Sequence, residues 1–221
     1  MHLAQDTRAQ FDSDAGNTFQ QVLMEYQQAI SEPSDPVRII QMFNLIRTAN
    51  RLPPGDYAEF GTHLGFTLKA IHKFMDPECM LYSFDTFEGF DWRDVLVEHH
   101  KGYPQWKAGG FSPTSVEHVA HYLGNPINVR FIKGRIPESY PIEKEHQWRF
   151  VHLDMDLYQP TLAALKLVWE SMVPGGIILV HDYGDSGFAT DEAVDEFCES
   201  RDVFPVELAD HWGSAVIRRP T

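Results

Sequence analysis

Cysteine is nearly absent: Cys79 and Cys198 are the only two in 221 residues. Two thiols so far apart build neither a disulfide framework nor a Cys-based zinc site, so each is expected as a small buried apolar side chain. Long apolar runs are missing too. No stretch approaches the length that spans a bilayer, and the N-terminal MHLAQDTRAQFDSDAG has no apolar signal core, so the expected compartment is the cytoplasm. Cations are scarce: 18 Lys and Arg against 32 Asp and Glu give a formal net charge of −14. Nucleic-acid surfaces need clustered Lys and Arg, and anionic membranes attract the same residues, so neither partner is expected. Repeats and low-complexity linkers are also lacking, which excludes solenoids and multi-module arrays. What is present is an ordinary globular composition, 43% hydrophobic, at a length that suits one well-buried domain.

The chain is organised around residues 150–184. Two short β-rich runs, Phe150–Leu153 and Ile177–Val180, flank a helix-like segment that has Pro160 in its first turn and Pro174-Gly175-Gly176 after its end. Strand–helix–strand of this length is a βαβ unit with parallel strands, so the acids after each strand leave the sheet at one carboxyl edge. These are Asp154 and Asp156 after the first strand, and Asp182, with His181, after the second. Further strands are read at YAEF, MLYSF and NPINVRFIKG, each followed by helix-like sequence, and PVEL with SAVIRR makes an antiparallel hairpin. The fold class is α/β: an open, mostly parallel sheet with an antiparallel C-terminal hairpin. Two helices precede it. One carries Phe19, Val22, Leu23, Tyr26 and Ile30 to about Ser31; the other, about 36–50, presents Val37, Ile40, Phe43 and Ile46. Residues 1–55 therefore read as a helical segment on the core, and residues 56–221 as the ligand-binding domain. Residues 91–113 form a long mixed insertion, a candidate lid, with Trp92, Trp106 and Phe111 available to close over a ring-shaped ligand.

Glu59-Phe60-Gly61-Thr62-His63-Leu64-Gly65 marks a strand-to-helix turn. Gly61 permits a tight turn and Gly65 permits backbone to approach a ligand. Asp85, at the end of the next strand, can accept hydrogen bonds from a ribose diol. Glu59 beside the turn would repel a pyrophosphate and attract a sulfonium with an α-amino group, so S-adenosylmethionine suits the charge better than a dinucleotide.

These stretches, AEFGTHLGFT, SFDTFEGF, WKAGGFSPTSVEHV, FIKGRIPES, FVHLDMDLYQPT, PGGIILVHDYG and AVDEF in order, resemble the macrocin O-methyltransferase family over roughly residue 56 to the C-terminus. The resemblance implies a class I methyltransferase fold, Rossmann-like, with seven strands. It also implies methyl transfer from S-adenosylmethionine to a hydroxyl of a small sugar-like or natural-product acceptor, by a chain that could be a homo-oligomer. In it Glu59, Phe60, Gly61, Thr62 and Gly65 line the methionine end, with Asp154 close by. Asp85 and Thr86 sit at the ribose, and Gly134 with Arg135 near adenine.

Deprotonating an alcohol calls for a carboxylate base, and a divalent cation on the acceptor oxygen would help. Asp154 and Asp156 could divide those tasks, with Asp182 completing a metal site. The resemblance implies Asp154 as metal ligand and Asp156 as base, and it implies acids at both positions 181 and 182. His181 departs from that pattern. Imidazole binds Mg²⁺ poorly and suits Mn²⁺, Fe²⁺ or Zn²⁺. The expected set is therefore Asp154, His181 and Asp182 on Mg²⁺ or Mn²⁺; otherwise His181 orients Asp182 or the acceptor, or is itself the base at a metal-free site. His152-x-Asp154 with His181 also mimics the two-His-one-carboxylate set of a non-haem iron oxygenase, though such enzymes usually sit in all-β barrels.

Overall fold

Alternation of side chains builds a two-sided sheet, as strand β1 (Asp56–Phe60) illustrates: Tyr57 packs in one apolar cluster, Ala58 and Phe60 in the other. The computed structural model describes residues 16–25, 35–141, 146–184 and 187–221. The elements after β1 are α3 (Phe66–Phe74), β2 (Leu81–Asp85), α4 (Trp92–His100), α5 (Val116–Leu123), β3 (Val129–Lys133) and β4 (Trp148–Leu153). Then come α6 (Tyr158–Val168), β5 (Met172–His181), α7 (Thr190–Arg201), β6 (Val206–Leu208) and β7 (Ser214–Arg218). Helices α1 (16–25) and α2 (Pro36–Ala49) precede the sheet.

The seven strands run in the order β3-β2-β1-β4-β5-β7-β6, with β7 antiparallel to β5 and to β6 and the other pairs parallel. The chain moves outward from β1 to β3, then returns to lay β4 beside β1. The carboxyl ends of β1 and β4 are thus the switch point of an open α/β sheet, where such folds form a crevice. One face is covered by α1, α2, α3 and α5 over Tyr57, Phe150, Ile177 and Leu179. The other is covered by α6 and α7 over Ala58, Val151, Ile178 and Val180.

Three expectations need correcting. Helix α2 turns inward not on Val37 and Ile40, which are exposed, but on Ile39, Met42, Ile46 and Ala49. Those positions form an equally good helical stripe, and choosing them points Arg38 at the sheet. Pro174-Gly175-Gly176 does follow the helix, but β5 starts before it, at Met172, and the turn is drawn into the strand because Gly175 donates to the Arg219 carbonyl and Arg219 to the Gly176 carbonyl. The insertion is partly helical: α4 is capped by the Asp91 side chain, and Phe90 exchanges hydrogen bonds with Gly109 and Gly110 to close it off. Phe19, Val22 and Leu23 pack as expected, whereas residues 1–15 and the end of the first helix lie outside the described residues. Among the described residues no helix is long and apolar enough to cross a membrane.

Glu98 of α4 ties the insertion to the core. Its fully buried carboxylate accepts from the backbone N–H of Tyr158 (3.0 Å) and of Ala189 (2.7 Å), at the starts of α6 and α7. Neither helix has a side-chain cap of its own, so one anion serves two positive helix ends. Glu98→Ala should cost about 2–4 kcal/mol, since two buried donors lose their partner. Glu98→Gln, which keeps one acceptor, should cost less; urea midpoints would check the order.

Candidate active site

The switch point opens into a cavity of about 260 Å³. Gly61 leaves β1 with φ +85°, and a Cβ there would lie 1.8 Å from the carbonyl oxygen of Asp154. Only glycine fits. The turn is stitched on its other side by Asp85, whose carboxylate accepts from the N–H groups of Thr62 (2.7 Å), His63 (2.8 Å) and Phe87 (2.6 Å). The Thr86 hydroxyl, 3.5 Å from Oδ1, joins these three backbone donors around the one carboxylate.

Of the residues expected at a cofactor, Gly61, Thr62, Asp85, Thr86, Gly134, Arg135 and Asp154 line this cavity, as does Asp156. Glu59, Phe60 and Gly65 do not. Glu59 is fully buried between strands and accepts from His152 Nδ1 at 3.0 Å, while Phe60 stacks on Phe84 at 4.3 Å in the core. Gly65 lacks a side chain for packing: a Cβ would meet Val119 of α5 at 2.7 Å. Arg135 is committed to a bidentate pair with Asp94 (2.9 and 2.6 Å) and to Glu138, tying the β3 end to α4.

Asp154, Asp156 and Asp182 converge: each offers an oxygen within 4.8 Å of the other two. Asp156 (φ 61°) and Asp182 (φ 59°) both adopt the left-handed backbone region, a local strain that persists only where surrounding structure enforces it. Burial and the neighbouring carboxylates of Asp182 and Asp154 push Asp156 well above the usual carboxylate range. Burial and Asp154 raise Asp182 to about 6, with Arg38 opposing. Two carboxyl groups this close favour one shared proton over two negative charges.

Behind the acids lies a buried polar row on the α2 face of the sheet. Glu59 and His152 are register partners on β1 and β4, and the rings of His152 and His181 are 4.2 Å apart and edge-on. His181 Nδ1 lies 3.4 Å from Asp154 and burial lowers its pKa to about 4, so the imidazole is neutral at pH 7. His181 does not line the cavity; it backs Asp154, a different carboxylate from the one expected.

Sequence reasoning missed Arg38. Its guanidinium reaches from α2 to Asp182 (2.8 Å), Asp210 (3.3 Å), the Gly213 carbonyl (3.0 Å) and His181 Nδ1 (3.4 Å). The only available signal was a cation in the first turn of a mostly apolar helical stretch, where Arg47 is the other. The guanidinium bears on the metal question as well. Three carboxylate oxygens suit a hard cation, but Asp182 is already paired and the other expected ligand, His181, faces the same positive group. As they stand, these residues do not fit a resident divalent ion. His152, Asp154 and His181 also lie within 4.8 Å of one another, yet His152 is hydrogen-bonded to Glu59 beneath the sheet face.

Among the aromatics, Phe90 and Phe111 line the cavity. Trp106 stacks on Phe188 at 4.3 Å and donates to the Gly187 carbonyl, and Trp92 is 63% exposed away from it. Tyr183 donates to Asp195, Tyr158 to Glu196, and Glu88 pairs with Lys133.

The macrocin-O-methyltransferase (TylF) family model matches residues 38–218. No curated protein sequence matches the chain. Among solved structures, the O-methyltransferase NovP is similar with TM-score 0.67 and 21% identity over 84% of this chain and 81% of that one. CalS11, a calicheamicin methyltransferase, gives TM-score 0.66 and 18% identity over 92% and 91%. The Bacillus cereus O-methyltransferase in complex with SAH gives 0.58 and 12% over 92% and 91%. With the family matched across the sheet, the cavity and α2, the chain belongs to the macrocin O-methyltransferase family and is an S-adenosylmethionine-dependent O-methyltransferase.

Proposed function

We propose that this enzyme methylates a hydroxyl of a small natural-product acceptor, a deoxysugar in the first instance, with the Asp156–Asp182 pair receiving the proton. The observation that carries this reading is the convergence of Asp154, Asp156 and Asp182 within 4.8 Å beside the Gly61 turn. The acceptor class draws on CalS11, described as a TDP-rhamnose 3'-O-methyltransferase.

Residues 56–221 hold the cofactor, and α2 of the N-terminal segment reaches the acid cluster through Arg38. Thr62, Asp85, Thr86, Gly134 and Arg135 hold the nucleoside, and the bare Gly61 backbone with Asp154 faces the methionine end. S-adenosylmethionine supplies a methyl group already activated on a sulfonium. What the protein adds is orientation and a place for the proton. Asp156, on the cavity side, takes it, with Asp182 sharing the charge. His181 keeps Asp154 in position. A base works only when deprotonated, so the carboxylate member of the pair receives the proton, and burial among like charges raises the basicity of both groups.

SAH release from a panel of nucleotide-linked deoxysugars, glycosides and phenols tests the acceptor class; turnover of phenols alone would refute the sugar reading. Asp156→Asn should lower kcat by about 10²–10⁴, the range of general-base catalysis, with SAH affinity by calorimetry unchanged. Wild-type kcat/KM should fall as acid neutralises the pair, whose ionisations both lie above the usual carboxylate range, and Asp156→Asn should lose that limb. Asp85→Ala should weaken SAH binding about tenfold or more, because the diol contact and the stitched turn go together. Metal assistance is favoured only by the three carboxylates and opposed by Arg38; activity should survive chelator and gain nothing from Mg²⁺ or Mn²⁺.

A further inference from the structure

We propose that the guanidinium of Arg38 is the built-in cation of this site, occupying by its charge the role of a divalent ion and keeping such ions out. The activity side of this proposal rests on the methyltransfer reading above; the binding side does not.

The first support is geometry. Arg38 is 9% exposed, and each of its three nitrogens has a partner: Nε on Asp210, one terminal nitrogen on Asp182 and the Gly213 carbonyl, the other facing His181. A guanidinium stays charged at any working pH and its planar fork matches such a set. The second is that the surrounding chain is shaped to hold it there. Asp35 caps α2 through Oδ1 on the Val37 N–H and with Oδ2 accepts from the His211 N–H at 2.6 Å, so the helix start is tied to the β6–β7 connection. In that connection Gly213 has φ +80°, and a Cβ would lie 2.0 Å from the Tyr183 carbonyl oxygen. The loop bearing Asp210 and Gly213 is thereby pressed against the end of β5, where its acceptors meet Arg38.

The third support is charge. A divalent ion among Asp154, Asp156 and Asp182 would stand beside a fixed positive group that it could not displace without stranding Asp210. An imidazole, His181, stands where an acid was expected, which removes one carboxylate. A guanidinium carries one positive charge less than a divalent ion. The two departures compensate.

The test is calorimetric titration of Mn²⁺, Mg²⁺ and Zn²⁺ into the wild type, Arg38→Met and Arg38→Lys, each also titrated with SAH. The wild type should show no saturable site below millimolar metal. Arg38→Met should gain one, with Mn²⁺ affinity raised about tenfold or more. Arg38→Lys keeps the charge and should stay closed. A folded protein with a merely structural arginine would lose stability without gaining metal. Tight stoichiometric metal in the wild type, through the carboxylates or through His152 and His181, would overturn the proposal. So would a folded Arg38→Met that binds SAH but no more Mn²⁺ than the wild type. If Arg38→Met does not fold, Arg38→Gln takes its place under the same criteria. Failure of every form to bind SAH would instead strike at the cofactor assignment and leave the metal result standing.

Discussion

The close approach of two strand ends, Gly61 of β1 against the Asp154 carbonyl of β4, is the constraint on which the site depends. Asp154 N–H donates to the Phe60 carbonyl at 2.8 Å and Gly61 N–H to the Phe84 carbonyl at 2.9 Å, so three strands are locked at one level. From that level Asp85, Asp154 and Asp156 leave the sheet into the same cavity. A side chain at position 61 would wedge β1 from β4 and separate the cofactor turn from the acids. The glycine is needed for a contact between elements, and not only for the flexibility of its turn.

Charge burial around this constraint is organised in two layers. On the cavity side, carboxylates crowd together and share protons. Beneath them, Glu59, His152 and His181 form a row whose members partner one another across strands. Polar groups buried in this way are costly when left single and cheap when paired, so the row resists replacement of any one member. Arg38 links the layers, which makes α2 part of the active site as well as a cover for the sheet. The remaining ties come from α4: Glu98 holds two helix starts, and the Asp94–Arg135 pair joins α4 to the end of β3. The insertion is thus held at its base by buried ions, while its aromatic cluster of Phe90, Trp106 and Phe111 reaches the cavity rim.

Most of the fold was legible in the sequence because its signals are local. Apolar runs of strand length, Pro160 within a first turn, and acids directly after strands each depend on a few neighbouring residues. The parallel sheet followed from them, and with it the meeting of Asp154, Asp156 and Asp182, since the carboxyl ends of adjacent parallel strands lie side by side. Gly61 and Asp85 were read by the same logic and line the cavity; Thr62 and Arg135, which line it too, followed only from the family resemblance. Glu59 was misplaced because a carboxylate beside a glycine turn looks ligand-facing in one dimension, whereas the β pleat points it away from the cavity and towards His152.

The sequence alone determined the class of sheet, the position of the crevice and the carboxylates that meet there, because strand direction and side-chain alternation follow from local pattern. Only the tertiary structure decided which stripe of α2 turns inward, and so that Arg38 stands on Asp182 and His181 backs Asp154. Two helical stripes of similar apolarity compete in that segment, and the choice rests on partners, Asp182, Asp210 and the Gly213 carbonyl, that lie more than a hundred residues away along the chain.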